Sequence, residues 1–209
     1  MTRVVALRHG ETAWNREGRM QGWAPVPLND RGREQATAAG EWLADEYAFD
    51  AVYSSDLLRT RETTERVLEH LPYKGSGRKV TYEAAWRERD IGVYQGLSYQ
   101  DVYERFPEFG LGEAAAEAAR RVPDSGESLA DVYERATERF EAVVAGHDDD
   151  DTVLVVSHGG PIYMLTGHAK AMDIRDAVLD HSQDNCGATV FDCSEGVEVV
   201  AENVTEWDG

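Results

Sequence analysis

The chain has 209 residues and a formal net charge of −19, with 21 Lys and Arg against 40 Asp and Glu. That length can bury one substantial core, giving a single domain over 1–209. The charge repels nucleic acid and anionic membranes, so neither is an expected partner. No apolar run approaches the ~20 residues that span a bilayer. Thr2-Arg3 lead straight into an apolar run and leave no room for a secretory signal, so a cytoplasmic protein is expected.

Val4-Val5-Ala6-Leu7 is too short for a helix and reads as a strand buried on both faces. It ends in Arg8-His9-Gly10, placing a cation and an imidazole where strand gives way to loop. Ligands of parallel α/β sheets bind beyond the carboxyl ends of the strands. Gly10 would let backbone approach a ligand, with Thr12 and Asn15 as further donors. Trp14 to Pro27 reads as loop, broken by Gly18, Gly22, Pro25 and Pro27. Asn29 or Asp30 caps a helix to about Tyr47. Ala51-Val52-Tyr53 is a second strand, and a helix from Leu57 to about Leu71 carries Arg59 in its first turn.

Lys79 to Tyr82 reads as a third strand, leading into Trp86-Arg87-Glu88-Arg89-Asp90-Ile91-Gly92. The stretch from 92 to 125 has no strand pattern: a short helix over Tyr99–Phe106 and an Ala-rich one over Gly112–Arg121 suggest an inserted helical cap. A long helix runs from Glu127 to about Ala145. The exposed run Asp148-Asp149-Asp150-Asp151 reads as a solvated loop. Three Lys against 18 Arg, with so much acid, suit concentrated salt, where like-charge repulsion is screened; a melting temperature rising with salt is the expected sign. Val153-Leu154-Val155-Val156 is another buried strand, ending in Ser157-His158-Gly159-Gly160. A helix from Pro161 to about Met172 follows, then strands over Gly187–Cys193 and Val197–Val204. Cys186 and Cys193 lack metal-ligand spacing and read as reduced thiols. Strand–helix repetition of this kind predicts an α/β fold with a largely parallel sheet.

Three strand ends then bring Arg8-His9-Gly10, Ser54-Ser55 with Arg59, and Ser157-His158-Gly159 to one rim. Guanidinium forks suit phosphate oxygens, a neutral His9 can attack phosphorus, and His158 can stabilise phosphoryl charge. Glu88 is the best-placed acid for the departing oxygen, although Glu83 and Asp90 lie near. A His9/His158 metal site would need carboxylate or cysteine ligands that the spacing does not supply, so no metal is expected. His70, His147, His168 and His181 have no comparable context.

These residues resemble the histidine phosphatase superfamily, also called the phosphoglycerate mutase-like family. The resemblance rests on Arg8-His9-Gly10-Glu11-Thr12, Asn15, and Gly22 through Pro27-Leu28-Asn29 to Gly32. It continues in Ser55-Asp56-Leu57-Leu58-Arg59, Arg87-Glu88, Gly126-Glu127-Ser128 and Val156-Ser157-His158-Gly159. It implies a three-layer α/β/α sandwich with a mainly parallel central sheet, a phosphohistidine on His9, and no cofactor. By position it gives phosphate to Arg8, Arg59 and His158, proton transfer to Glu88, and substrate contacts to Asn15, Gln21, Gly22 and Gly159. Glu88 is followed by Arg89-Asp90-Ile91-Gly92 where the family's mutases carry Arg-His-Tyr-Gly, and the longer mutase insertion is missing. A metal-independent phosphatase of small phosphorylated metabolites is therefore expected. A phosphoglycerate mutase-type isomerase and a non-catalytic phosphate-binding protein are the alternatives.

Overall fold

The computed structural model describes residues 2–72, 79–106 and 115–207. In chain order the elements are β1 (Arg3–Arg8), α1 (Ala13–Arg16), α2 (Asp30–Glu46), β2 (Ala51–Ser55), α3 (Leu58–His70) and β3 (Val80–Glu83). After 3-10 turns at Ala84–Trp86 and Gly92–Tyr94 come α4 (Tyr99–Arg105), α5 (Ala115–Ala118), α6 (Leu129–Ala145) and β4 (Thr152–Ser157). The chain closes with α7 (Gly159–Ala169), α8 (Ile174–Leu179), β5 (Ala188–Asp192) and β6 (Glu198–Val204).

The six strands form one sheet in the order β3-β2-β4-β1-β5-β6. The first four are parallel, while β5 runs antiparallel to β1 and β6 antiparallel to β5. Alternation along β1 explains the layering. Val5 and Leu7 join Ala36, Ala39 and Leu43 of α2 and Val67 of α3 on one face. Val4 and Ala6 join Ala136, Phe140 and Val143 of α6 and Ile162 and Leu165 of α7 on the other. A strand buried on both sides cannot alternate with polar residues, which is why Val4 to Leu7 is an unbroken apolar run.

Several boundaries differ from the sequence reading, each for a local reason. The expected loop from Trp14 opens with the one-turn α1, closed by a reciprocal Thr12–Asn15 capping box. Helix α6 starts at Leu129, because the Ser128 side chain accepts the Asp131 N–H and Asp131 reaches back to Ser128. Helix α7 begins directly after His158 and stops at Ala169, with Ala171 left-handed at φ 54°. The short α8 was not foreseen, although its Asp173 cap bonds Asp176 N–H in the usual manner. Of the expected helix over Gly112–Arg121, residues 112–114 lie outside the described residues, and α5 at Ala115–Ala118 is the helix observed in the rest. Among the described residues of 92–125 there is no strand, and no described helix is long and apolar enough to cross a membrane.

Gly10 has a packing role that the sequence reading did not include. A Cβ there would meet the Gly32 carbonyl oxygen at 2.4 Å, and one on Gly32 would meet the Glu11 oxygen at 2.0 Å. The strand-end loop and the start of α2 thus pack backbone on backbone, which only glycine permits. Close approach to helix α2 is what the glycine provides.

Candidate active site

The carboxyl ends of β1, β2, β3 and β4 lie along one rim, and a cleft opens there. Arg8, His9, Asn15, Gln21, Gly22, Arg59, Glu88, Gly159 and Gly160 line it together with Met20, Arg89, Ile91, Tyr99, Leu129, Tyr163 and Val178. His158 is wholly buried and outside the lining, yet its ring centroid is 5.1 Å from that of His9.

His9 is set by both of its nitrogens. Nδ1 lies 2.7 Å from the Gly10 carbonyl oxygen, which can only accept, so Nδ1 carries the proton. The Arg59 Nε–H donates to Nε2 at 3.3 Å, so Nε2 holds a lone pair. Burial, then the charges of Arg59 and Arg8, hold the His9 pKa well below the usual histidine range. The ring is therefore neutral at neutral pH, with its lone pair toward a cation. The backbone of the same loop is braced by Thr63, whose hydroxyl accepts the Gly10 N–H at 3.1 Å.

Arg59 is 1 % exposed, and its Nη2 and Nη1 donate to the carbonyls of Gly22 at 2.9 Å and Ala24 at 3.3 Å. Burial pushes its guanidinium down to about 10, with Glu88 opposing and Arg8 adding to the shift, so it stays charged at neutral pH. Arg8 donates through Nη1 to the Gln183 carbonyl. His158 Nε2 lies 2.9 Å from Ser55 Oγ. Two buried nitrogens of this cluster have no partner: Arg8 Nε and His158 Nδ1. Unsatisfied buried donors each cost on the order of 1–3 kcal/mol. The oxygens of an anion would satisfy Arg8 Nε, and His158 Nδ1 as well in the tautomer that carries its proton there.

The three candidate carboxylates separate by position. Glu83 receives a bidentate contact from Arg139 at 2.7 and 2.8 Å and the Trp86 indole N–H at 3.1 Å. Asp90 Oδ1 accepts the Gly92 N–H at 2.9 Å, and neither residue lines the cleft. Glu88 does, its Oε2 accepting the Gly160 N–H at 3.3 Å and its Oε1 the Arg89 N–H at 2.9 Å. A Cβ on Gly160 would meet Glu88 Oε1 at 2.2 Å, so the carboxylate occupies the place of a missing side chain. Arg87 turns the other way and grips Asp56 at 2.6 Å through both Nε and Nη2, joining two of the sequence motifs.

Of the expected substrate contacts, Asn15, Gln21, Gly22 and Gly159 all line the cleft. Thr12 does not, and its hydroxyl lies within 3.0 Å of both Asn15 Oδ1 and Gln21 Oε1, which it orients. Sequence reasoning assigned nothing to Ser55 beyond its motif, and passed over Tyr99, Tyr163 and Gln183. These carry no local signal, since their positions depend on how distant elements meet. His70, His147, His168 and His181 are occupied elsewhere, paired with Glu41, Asp151, Glu141 and Glu202. Cys186 and Cys193 are unpaired, and burial raises both thiol pKa values, Cys193 to about 11.

Two neutral buried histidines make stability pH-dependent. The pKa of His158 is also held low, by burial first and then by Arg59, His9, Arg135 and Arg8. Both folded pKa values lie below the unfolded value of ~6.5. Below that pH the unfolded chain gains two protons that the folded chain refuses, so stability falls as pH falls. Urea unfolding below pH ~6.5 should show stability falling with pH, and His9→Asn should make that fall shallower by removing one of the two groups; an unchanged slope would contradict the neutral pair.

The fold and cleft define a class: an α/β protein with a neutral histidine between two arginines at a sheet rim, built to receive an anionic group. The sequence profile described as the Histidine phosphatase superfamily (branch 1) matches residues 4–205. Phosphoglycerate mutase-like protein 4 of Arabidopsis thaliana is 36% identical over 167 residues, covering 80% of this chain and 70% of that protein. Phosphoserine phosphatase 1 of Hydrogenobacter thermophilus is 34% identical over 206 residues, covering 98% of this chain and 93% of that protein. A mycobacterial glucosyl-3-phosphoglycerate phosphatase, solved as a complex with VO3, superposes with a TM-score of 0.80 at 30% identity, covering 97% of this chain and 98% of that one. The chain belongs to the histidine phosphatase superfamily, branch 1, and is a phosphomonoester hydrolase of that superfamily.

Proposed function

We propose that the cleft hydrolyses small phosphate monoesters, without a metal, through a phosphohistidine on His9. One observation carries the reading: a lone pair on His9 Nε2 faces a cluster whose buried Arg8 Nε and His158 Nδ1 have no partner. The phosphoryl group lies against Arg8 and Arg59, with Asn15, Gln21 and the backbone at Gly22 and Gly159 around it. Two guanidinium charges answer the phosphate dianion. Ser55 donates its hydroxyl proton to His158 Nε2, which leaves Nδ1–H free to donate to a phosphoryl oxygen.

In the first step the His9 Nε2–P bond forms and the P–O bond to the alcohol breaks, the departing oxygen taking a proton from Glu88. In the second, water attacks phosphorus while the Glu88 carboxylate takes its proton, the Nε2–P bond breaks, and inorganic phosphate leaves. His9 and Glu88 return to their starting states. The described residues of 92–125 contribute to a cap that selects the alcohol, since Tyr99 lines the cleft beside Met20 and Ile91. There Arg19 bridges to Ser98, and the Met20 N–H bonds the Leu97 carbonyl at 2.9 Å.

The test is a panel of phosphate monoesters, including phosphoserine and 3-phosphoglycerate, incubated with purified protein and a chelator. Inorganic phosphate should appear from several of them. Rapid conversion of 3- to 2-phosphoglycerate, primed by a bisphosphorylated glycerate and with little phosphate released, would replace the hydrolytic reading with the isomerase. Loss of activity on chelation would overturn metal independence.

A further inference from the structure

Gly126-Glu127-Ser128 stood out in the sequence without a chemical role. Its glutamate forms an ion pair with Arg135 one to two turns into α6, with Glu127 Oε1 2.6 Å from Nη2 and Oε2 3.1 Å from Nε. The pair is mostly buried, with side chains 21% and 16% exposed. What Arg135 does with its remaining donors is specific. Nη1 donates to the Ala85 carbonyl at 2.8 Å, and Nη2 to the Glu88 carbonyl at 3.0 Å. A second donor, the Trp23 indole N–H, reaches that same Glu88 carbonyl at 2.7 Å. Glu127 meanwhile accepts the Asp90 N–H at 2.9 Å and donates its own N–H to the Asp90 carbonyl at 2.8 Å.

The loop from 85 to 90 has no strand ladder of its own, so these contacts set where the Glu88 backbone sits. The carboxylate that hangs from it is held by two backbone donors, the neighbouring Arg89 N–H at 2.9 Å and, over the first turn of α7, the Gly160 N–H at 3.3 Å. We propose that Arg135, braced by Glu127, is a positioning residue for Glu88, clamping its carbonyl together with Trp23 so that the carboxyl reaches the leaving oxygen. This rests on the reading of Glu88 as proton donor. Only a planar fork can meet a bidentate carboxylate and two carbonyls at once. Lysine would keep the positive charge, including its effect on His158, and lose the clamp.

The experiment compares an alkyl phosphate with nitrophenyl phosphate in single-turnover assays on Arg135→Lys, Glu88→Gln and the double variant. An alkoxide needs a proton to leave and a nitrophenolate does not. Arg135→Lys should slow the alkyl ester by about 10- to 100-fold, the cost of misplacing a catalytic group by ~1 Å. On the nitrophenyl ester the loss should stay within about twofold, because acid catalysis contributes little there. In the Glu88→Gln background it should add nothing further on the alkyl ester. Equal loss on both esters, no loss on either, or losses that multiply in the double variant would overturn the proposal. If Glu88→Gln itself shows no contrast, the acid assignment is what fails. The Arg87 guanidinium lies 4.4 Å over the Trp23 ring, so Trp23→Phe keeps an aromatic ring there and removes the other donor to the same carbonyl. It should give the same contrast even if Arg135→Lys does not fold, and equal losses in it would count against the clamp.

Discussion

His9→Ala is expected to slow hydrolysis of every phosphate monoester by roughly 10⁴-fold or more, the scale on which removal of a covalent nucleophile acts. The structure gives the reason in two hydrogen bonds. Nε2 carries the lone pair and accepts the Arg59 Nε–H at 3.3 Å, while Nδ1 is committed to the Gly10 carbonyl at 2.7 Å. An arriving phosphoryl group draws the guanidinium to its own oxygens and uncovers the lone pair as it docks. No other neutral nitrogen among the described residues lines the cleft in this way. Labelled substrate quenched in alkali should leave acid-labile phosphate on the wild-type protein and none on the variant. Label that persists without His9, or that maps to His158, would reverse the assigned roles.

Glu88→Gln is expected to cost about 10²–10⁴-fold on alkyl phosphates, the range of a positioned general acid. Gln keeps the size and polarity and removes the transferable proton. The cleft geometry narrows the choice, since Glu83 is held by Arg139 and Asp90 by the Gly92 N–H, both outside the lining. On nitrophenyl phosphate the loss should be much smaller. The same group serves as base for the attacking water, so single-turnover measurements are needed to isolate the first step. Equal losses on the two esters would make Glu88 a structural residue and return attention to its neighbours.

The sequence displayed the parts of the site that are local. Arg8 and His9 stand at the end of an apolar run, Arg59 in a first helical turn, and His158 before a Gly-Gly, so their meeting follows once the strands are parallel. The doubly buried β1 was equally plain in Val4 to Leu7. What was not legible depends on pairings between distant segments. Arg135 is one charge among several in α6, and nothing in its neighbours marks it as the residue that reaches two carbonyls 47 and 50 positions away. Ser55 sat in a recognisable motif, but its contact to His158 requires β2 and β4 side by side. The packing role of Gly10 was not legible for the same reason: its partner Gly32 comes from helix α2.

The strand order has a consequence for any shortened form of this chain. Because β5 is inserted beside β1, the segment leading into it buttresses the nucleophile. Asn185 Nδ2 donates to the His9 carbonyl at 3.0 Å, the Cys186 N–H lies 3.1 Å from the Arg8 carbonyl oxygen, and Gln183 supplies the oxygen that anchors Arg8. A splice variant or frameshift ending near residue 180 would retain all the motif residues from Arg8 to Gly160. A motif search would score it as intact, although the floor under His9 would be missing and the central strand would be left as an open edge.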